Sequence, residues 1–91
     1  MRVAKRYLIE GRVQAVGFRY FTQRVAAQHG ISGWVRNTLD GNVEIEAEGD
    51  DHAMREFESR ISAGPAGARV DQVSTLEIAV GPSLPSGFAI R

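Results

Sequence analysis

Cysteine is missing from the 91 residues, which removes disulfides, thiol chemistry and cysteine-ligated metals. Histidine occurs only as His29 and His52, with no HxH or HxxxH pairing, so a zinc site has almost nothing to build with and no metal is expected. The N-terminal stretch MRVAKRYLIEGRV contains no apolar run of signal-peptide length, and no later segment could span a bilayer. These absences point to a soluble cytoplasmic protein with no membrane partner. The length suits one domain over residues 1–91, being too short for two cores. A hydrophobic content of 43% argues against wholesale disorder.

Acids are scarce at the front of the chain and lysine is nearly absent throughout. Residues 1–37 hold seven cations against the single acid Glu10, whereas residues 38–91 hold four arginines against ten acids. A balanced net charge thus conceals a basic half of +6 and an acidic half of −6, a polarity that fits an anionic ligand on the basic side. Ten of the eleven cations are arginine, whose planar fork of donors suits phosphate.

Alternation in RYLIEGRV, residues 6–13, places Tyr7, Ile9, Gly11 and Val13 on one face of a strand. Phe18, Phe21 and Val25 then recur at helical spacing, Ala26 widens the stripe, and Gly30 stops the helix. ISGWVRN reads as a second strand, with Trp34 expected in the core and Arg36 facing solvent. Asp40-Gly41 is a hairpin signal. In NVEIEAEG, Val43, Ile45 and Ala47 should face inward while Glu44, Glu46 and Glu48 face solvent. Asp50 or Asp51 can cap a second helix with Met54, Phe57 and Ile61 on one stripe. RVDQVSTLEIAV, residues 69–80, reads as a fourth strand with Leu76, Ile78 and Val80 in alternation. GPSLPSG, residues 81–87, reads as a loop, and FAIR as a short last strand with Phe88 and Ile90 inward. The order predicts a ferredoxin-like α+β sandwich, βαββαβ, with two helices on one face of a mostly antiparallel sheet and an extra short C-terminal strand.

That fold serves metal carriers, RNA binders, ligand-binding modules and enzymes alike. A metal carrier would want a CxxC loop, and an RNA-recognition module would want exposed aromatics where NVEIEAEG has none. Nucleic acid is therefore not expected as a partner. A small anion is the better physical reading. In QAVG the chain turns from strand to helix, where unpaired backbone N–H groups and the helix dipole favour an anion, and Arg19 adds a guanidinium at that end. Phosphate or sulfate is the expected occupant. Two plainer readings stand beside this one. Arg19 can be a solvated first-turn residue pairing with Glu10 or the C-terminus, and Asn37 can be a turn residue whose side chain bonds the local backbone.

The segment GRVQAVGFR resembles the first signature of the acylphosphatase family, commonly GxVQGVxFR, and GWVRNTLDGNVEIEAEG resembles the second. With the helix between them, the GPAGARVDQV segment and the final F-x-I pattern, the resemblance covers nearly the whole chain. It implies that Arg19 binds phosphate, that the backbone N–H groups of Gln14, Ala15, Val16, Gly17 and Phe18 cradle it, and that Asn37 positions the attacking water from a neighbouring strand. The implied reaction is hydrolysis of a small acyl phosphate to carboxylate and phosphate without cofactor. A monomer is expected because the apolar stripes are consumed by one sheet and two helices. A carboxylate leaves easily, since its conjugate acid has a pKa of about 4, so no general acid is needed. Positioning and charge stabilisation carry most of phosphoryl transfer. An amide is no base at neutral pH, which leaves a substrate phosphate oxygen to accept the proton. The sequence departs from the pattern at Ala15, where the family usually has glycine. If φ is positive there, alanine carries strain of about 1 kcal/mol or the loop shifts. If φ is negative, the methyl group narrows the mouth. In either case activity is expected to survive, at a reduced level. The alternative is a weak or inactive module of the same fold that binds an anion or carbamoyl phosphate.

Overall fold

The computed structural model describes residues 1–81 and 87–91; the loop expected over residues 81–87 lies largely outside them. The described chain forms β1 (Arg2–Arg12), α1 (Phe18–His29), β2 (Ser32–Asn37), β3 (Val43–Asp50), α2 (Asp51–Ala63), β4 (Arg69–Ile78) and β5 (Phe88–Ile90). The sheet order is β4-β1-β3-β2-β5. All neighbours are antiparallel except β2 and β5, which run parallel. Two helices pack on one face, so the expected ferredoxin-like α+β architecture, with its short fifth strand, is what the chain adopts.

The core lies between that face and the helices. Tyr7 and Ile9 of β1, Val35 of β2, and Val43, Ile45 and Ala47 of β3 meet Phe18, Phe21, Val25 and Ala26 of α1 and Met54, Phe57 and Ile61 of α2. Each fully buried large side chain contributes about 1.5–3 kcal/mol. The aromatic rings meet edge-on or tilted, with Tyr7–Phe57 and Phe57–Phe88 centroids 6.1 Å apart and Phe18–Phe21 6.0 Å apart. Asp50 caps α2 by accepting from the His52 N–H at 3.2 Å. Phe88 and Ile90 are partly buried against the core, on its edge.

One expectation is corrected by strand parity. Trp34 is not in the core: Val35 points inward and is fully buried, so Trp34 must project to the helix-free face. There the Arg91 guanidinium lies 4.8 Å from the indole centroid. Leu76 and Ile78 likewise do not line the core. They pair with Arg6 and Ala4, which share the helix-free face. Leu76 is therefore 60% exposed, Val73 and Val70 supply the inward contacts, and Val80 lies beyond the strand.

The glutamates of β3 do face away from the helices, but not into open solvent. Glu44, Glu46 and Glu48 pair with Arg36 (2.6 Å), Arg6 (2.8 Å) and Arg2 (2.9 Å) on adjoining strands, and Glu48 is buried. Lys5 pairs with Glu58 at 3.4 Å. Four of the seven early cations are thus engaged by acids from the second half of the chain. Most of the charge polarity is a cross-strand ladder, leaving Arg12, Arg19 and Arg24 without an acidic partner among the described residues.

Candidate active site

Between β1 and α1 the chain makes a tight bend over residues 14–17. The bend requires two left-handed residues in close succession: Ala15 at φ 61° and Gly17 at φ 77°. Glycine adopts this conformation without penalty, whereas Ala15 is the only non-glycine residue with positive φ among those described. The condition set for strain at position 15 is therefore met.

Gly17 is the N-cap of α1 and brings no capping side chain, and the first turn contains no acid. Phe21 N–H closes the first helical turn on the Gly17 carbonyl at 3.0 Å. The N–H groups ahead of it have no partner from a capping side chain. They face an environment that the helix dipole makes favourable to anions.

A cleft of about 130 Å³ opens at this point, lined by Val13, Ala15, Gly17, Phe18, Arg19, Tyr20 and Asn37. Five of the seven residues singled out in the sequence therefore meet or flank one small cavity, or contribute its floor: Ala15, Gly17, Phe18, Arg19 and Asn37. Val16 turns away and packs partly buried against the core. Arg19 is half-buried, and its Nη1 donates to the main-chain oxygen of Arg91 at 3.2 Å. This contact matches the plain reading in part, with the chain end rather than Glu10 as partner. It engages one of five guanidinium donors.

Asn37 is the last residue of β2, paired with Val43. Its carboxamide makes no hydrogen bond to a described residue, so the turn-residue reading is not what the geometry shows. Thr38 does that work instead. Its hydroxyl accepts from the Asn42 N–H at 3.0 Å and also contacts Asp40, while its own N–H donates to the Asn42 carbonyl at 2.9 Å.

The expectation that Asn37 sits on a strand neighbouring the cradle is corrected. β3 separates β1 from β2, so the cleft straddles the end of an intervening strand. Sequence reasoning also missed two side chains. Gln14, considered only for its backbone, sends its Nε2 across to the carbonyls of Thr38 (2.7 Å) and Asn42 (2.8 Å). Tyr20, left open as a core residue, is 65% exposed at the cleft mouth. Its place off the Phe18–Phe21–Val25 stripe was the available signal. Among the described residues no three His, Cys, Asp or Glu side chains group closely enough to hold a metal ion.

Comparison with known proteins adds an independent line. The family profile described as Acylphosphatase matches residues 5–90. An acylphosphatase of Thermotoga petrophila is 50% identical over 80 residues, which is 88% of this chain and 83% of the relative. The crystal structure of acylphosphatase from Bacillus subtilis superposes with a TM-score of 0.92 at 37% identity and covers 98% of both chains. Full-length HypF, in a phosphate- and nucleotide-bound form, superposes at 0.86 with 26% identity, over all of this chain and 12% of HypF. On the strength of the profile match, the identity to relatives and the superposition, the chain belongs to the acylphosphatase family of enzymes.

Proposed function

We propose that the cleft hydrolyses the carboxyl-phosphate bond of small acyl phosphates, with Arg19 and the backbone N–H groups of residues 14–18 holding the phosphoryl group and Asn37 holding the water. The observation that supports this most is the meeting of Arg19 and an unengaged Asn37 carboxamide at one cleft beside the uncapped start of α1. Water attacks phosphorus and the P–O bond to the acyl group breaks. The carboxylate leaves with the electron pair, and the proton passes to a phosphate oxygen. Charge on the equatorial oxygens grows toward the N–H groups and the guanidinium, where a fixed array of donors lowers the barrier. The carboxamide of Asn37 accepts from water through its oxygen and so orients it, a contribution of geometry rather than of basicity.

The left-handed Ala15 in the loop, where the family usually has glycine, motivates one second reading, an anion-binding module without turnover. Benzoyl phosphate hydrolysis in excess chelator separates the two. The natural chain should turn substrate over with no loss on chelation. Arg19→Ala and Asn37→Ala should each lower kcat/KM on the order of 100-fold or more, Arg19→Ala alone losing competitive inhibition by phosphate. Phosphate binding without turnover in the natural chain would establish the module instead.

A further inference from the structure

The sheet order leaves a mechanical problem at the cleft. The cradle follows β1 and Asn37 ends β2, yet neither strand pairs with the other, because β3 lies between them. Ladder contact at this end stops at the row Ile9–Val43–Asn37. Beyond Ile9, β1 pairs only with β4, and it does so through a bulge at Glu10–Gly11. No backbone ladder therefore fixes the cradle to the hairpin that carries Asn37.

From this we infer that the Gln14 side chain is the positioning residue that sets the separation between the phosphate cradle and the water-holding Asn37. Both hydrogens of its carboxamide nitrogen are engaged, one on the Thr38 carbonyl at 2.7 Å and one on the Asn42 carbonyl at 2.8 Å. The two carbonyls flank a loop already closed on itself by the Thr38 N–H to Asn42 carbonyl bond (2.9 Å), the Asn42 N–H to Thr38 hydroxyl bond (3.0 Å) and the Gly41 N–H to Thr38 carbonyl bond (3.3 Å). Gln14 therefore grips a pre-formed loop at both ends, and that loop begins directly after Asn37. Its own backbone opens the cradle. One residue thus joins the part that holds phosphorus to the part that holds water. Misplacement by about 1 Å can lower a rate about 100-fold. A primary amide of this length meets the requirement without bringing a charge, since it offers two donors from a single atom. Glutamate has the same reach but would present acceptors to two carbonyl oxygens.

The inference rests on the proposed role of Asn37, and its test has a part that does not depend on turnover. In Gln14→Ala and in the isosteric Gln14→Glu, kcat on benzoyl phosphate should fall about 10-fold to 100-fold, while the inhibition constant of inorganic phosphate changes less than about three-fold. In an Asn37→Ala background, Gln14→Ala should lower kcat no further, because it acts through Asn37. Amide hydrogen exchange at Gly41 and Asn42 should accelerate about ten-fold or more in both Gln14 variants, with exchange in the core strands unchanged. Unaltered kcat, multiplicative losses in the double variant, or unaltered exchange at 41–42 would overturn the inference. If the natural chain were inert but exchange responded as stated, the clamp would stand and the hydrolytic reading of the site would fall.

Discussion

Ala15 holds the left-handed backbone of the bend between β1 and α1, at φ 61°, so its methyl group is accommodated there without a change of φ. Its side chain is exposed at the cleft wall. Strain of about 1 kcal/mol is the expected penalty, and it is partly offset because alanine has fewer unfolded conformations than glycine. Ala15→Gly should therefore stabilise the fold by only about 0.5 kcal/mol and leave benzoyl phosphate turnover within about two-fold. Ala15→Val should cost about 2 kcal/mol in thermal or urea unfolding, because a β-branched residue is a marked outlier at positive φ, and should weaken phosphate inhibition as the cradle deforms. The glycine pattern of the family made position 15 conspicuous in the sequence. Its dihedral, which decides the size of the effect, belongs to the folded bend alone.

At the level of elements, the strands show what alternation can and cannot reveal. Val43, Ile45 and Ala47 are legible because β3 is central and has one buried face, so period two leaves a clean trace. β4 is an edge strand carrying apolar residues on both faces, and its parity is set by register against β1 rather than by its own pattern. The pairing Arg6↔Leu76 sends a large apolar residue of that segment to the helix-free side. That register depends on the bulge at Glu10–Gly11, where Gly11 sits at φ 135° and an added Cβ would lie 2.1 Å from the Arg69 carbonyl oxygen. Gly11→Ala should cost about 2 kcal/mol or more and lower Tm by roughly 10 °C in a calorimetric scan. The cross-strand ion pairs of β3 are a smaller effect. The arginines of these pairs are about half exposed while the Glu46 side chain is only 12% exposed, so each pair is partly screened and contributes about 1 kcal/mol or less. Glu46→Gln, which keeps an acceptor for Arg6, should lower Tm by at most roughly 4–8 °C.

For the molecule as a whole, the basic half and the acidic half are knitted into one sheet, and the proposed anion site holds Arg19, one of three early arginines left without an acid among the described residues. Arg19 was legible from its motif and from its awkward place beside a positive helix end. Gln14 was not, because its contacts cross from residue 14 to residues 38 and 42, and no local pattern records a bond of that span. Binding of phosphate to the native state alone should stabilise it. At about 100 times the dissociation constant the gain is about 2.7 kcal/mol, or roughly 10–20 °C in Tm, and Arg19→Ala should lose most of that shift while keeping its phosphate-free Tm.

The claim that water held by Asn37 attacks phosphorus is tested most directly by hydrolysing benzoyl phosphate in ¹⁸O-enriched water and reading the label in both products. The account predicts one labelled oxygen in the phosphate, none in the benzoate, and slow formation of the same labelled product by Asn37→Ala. Label in the benzoate carboxyl group, or a rate indifferent to Asn37, would contradict it.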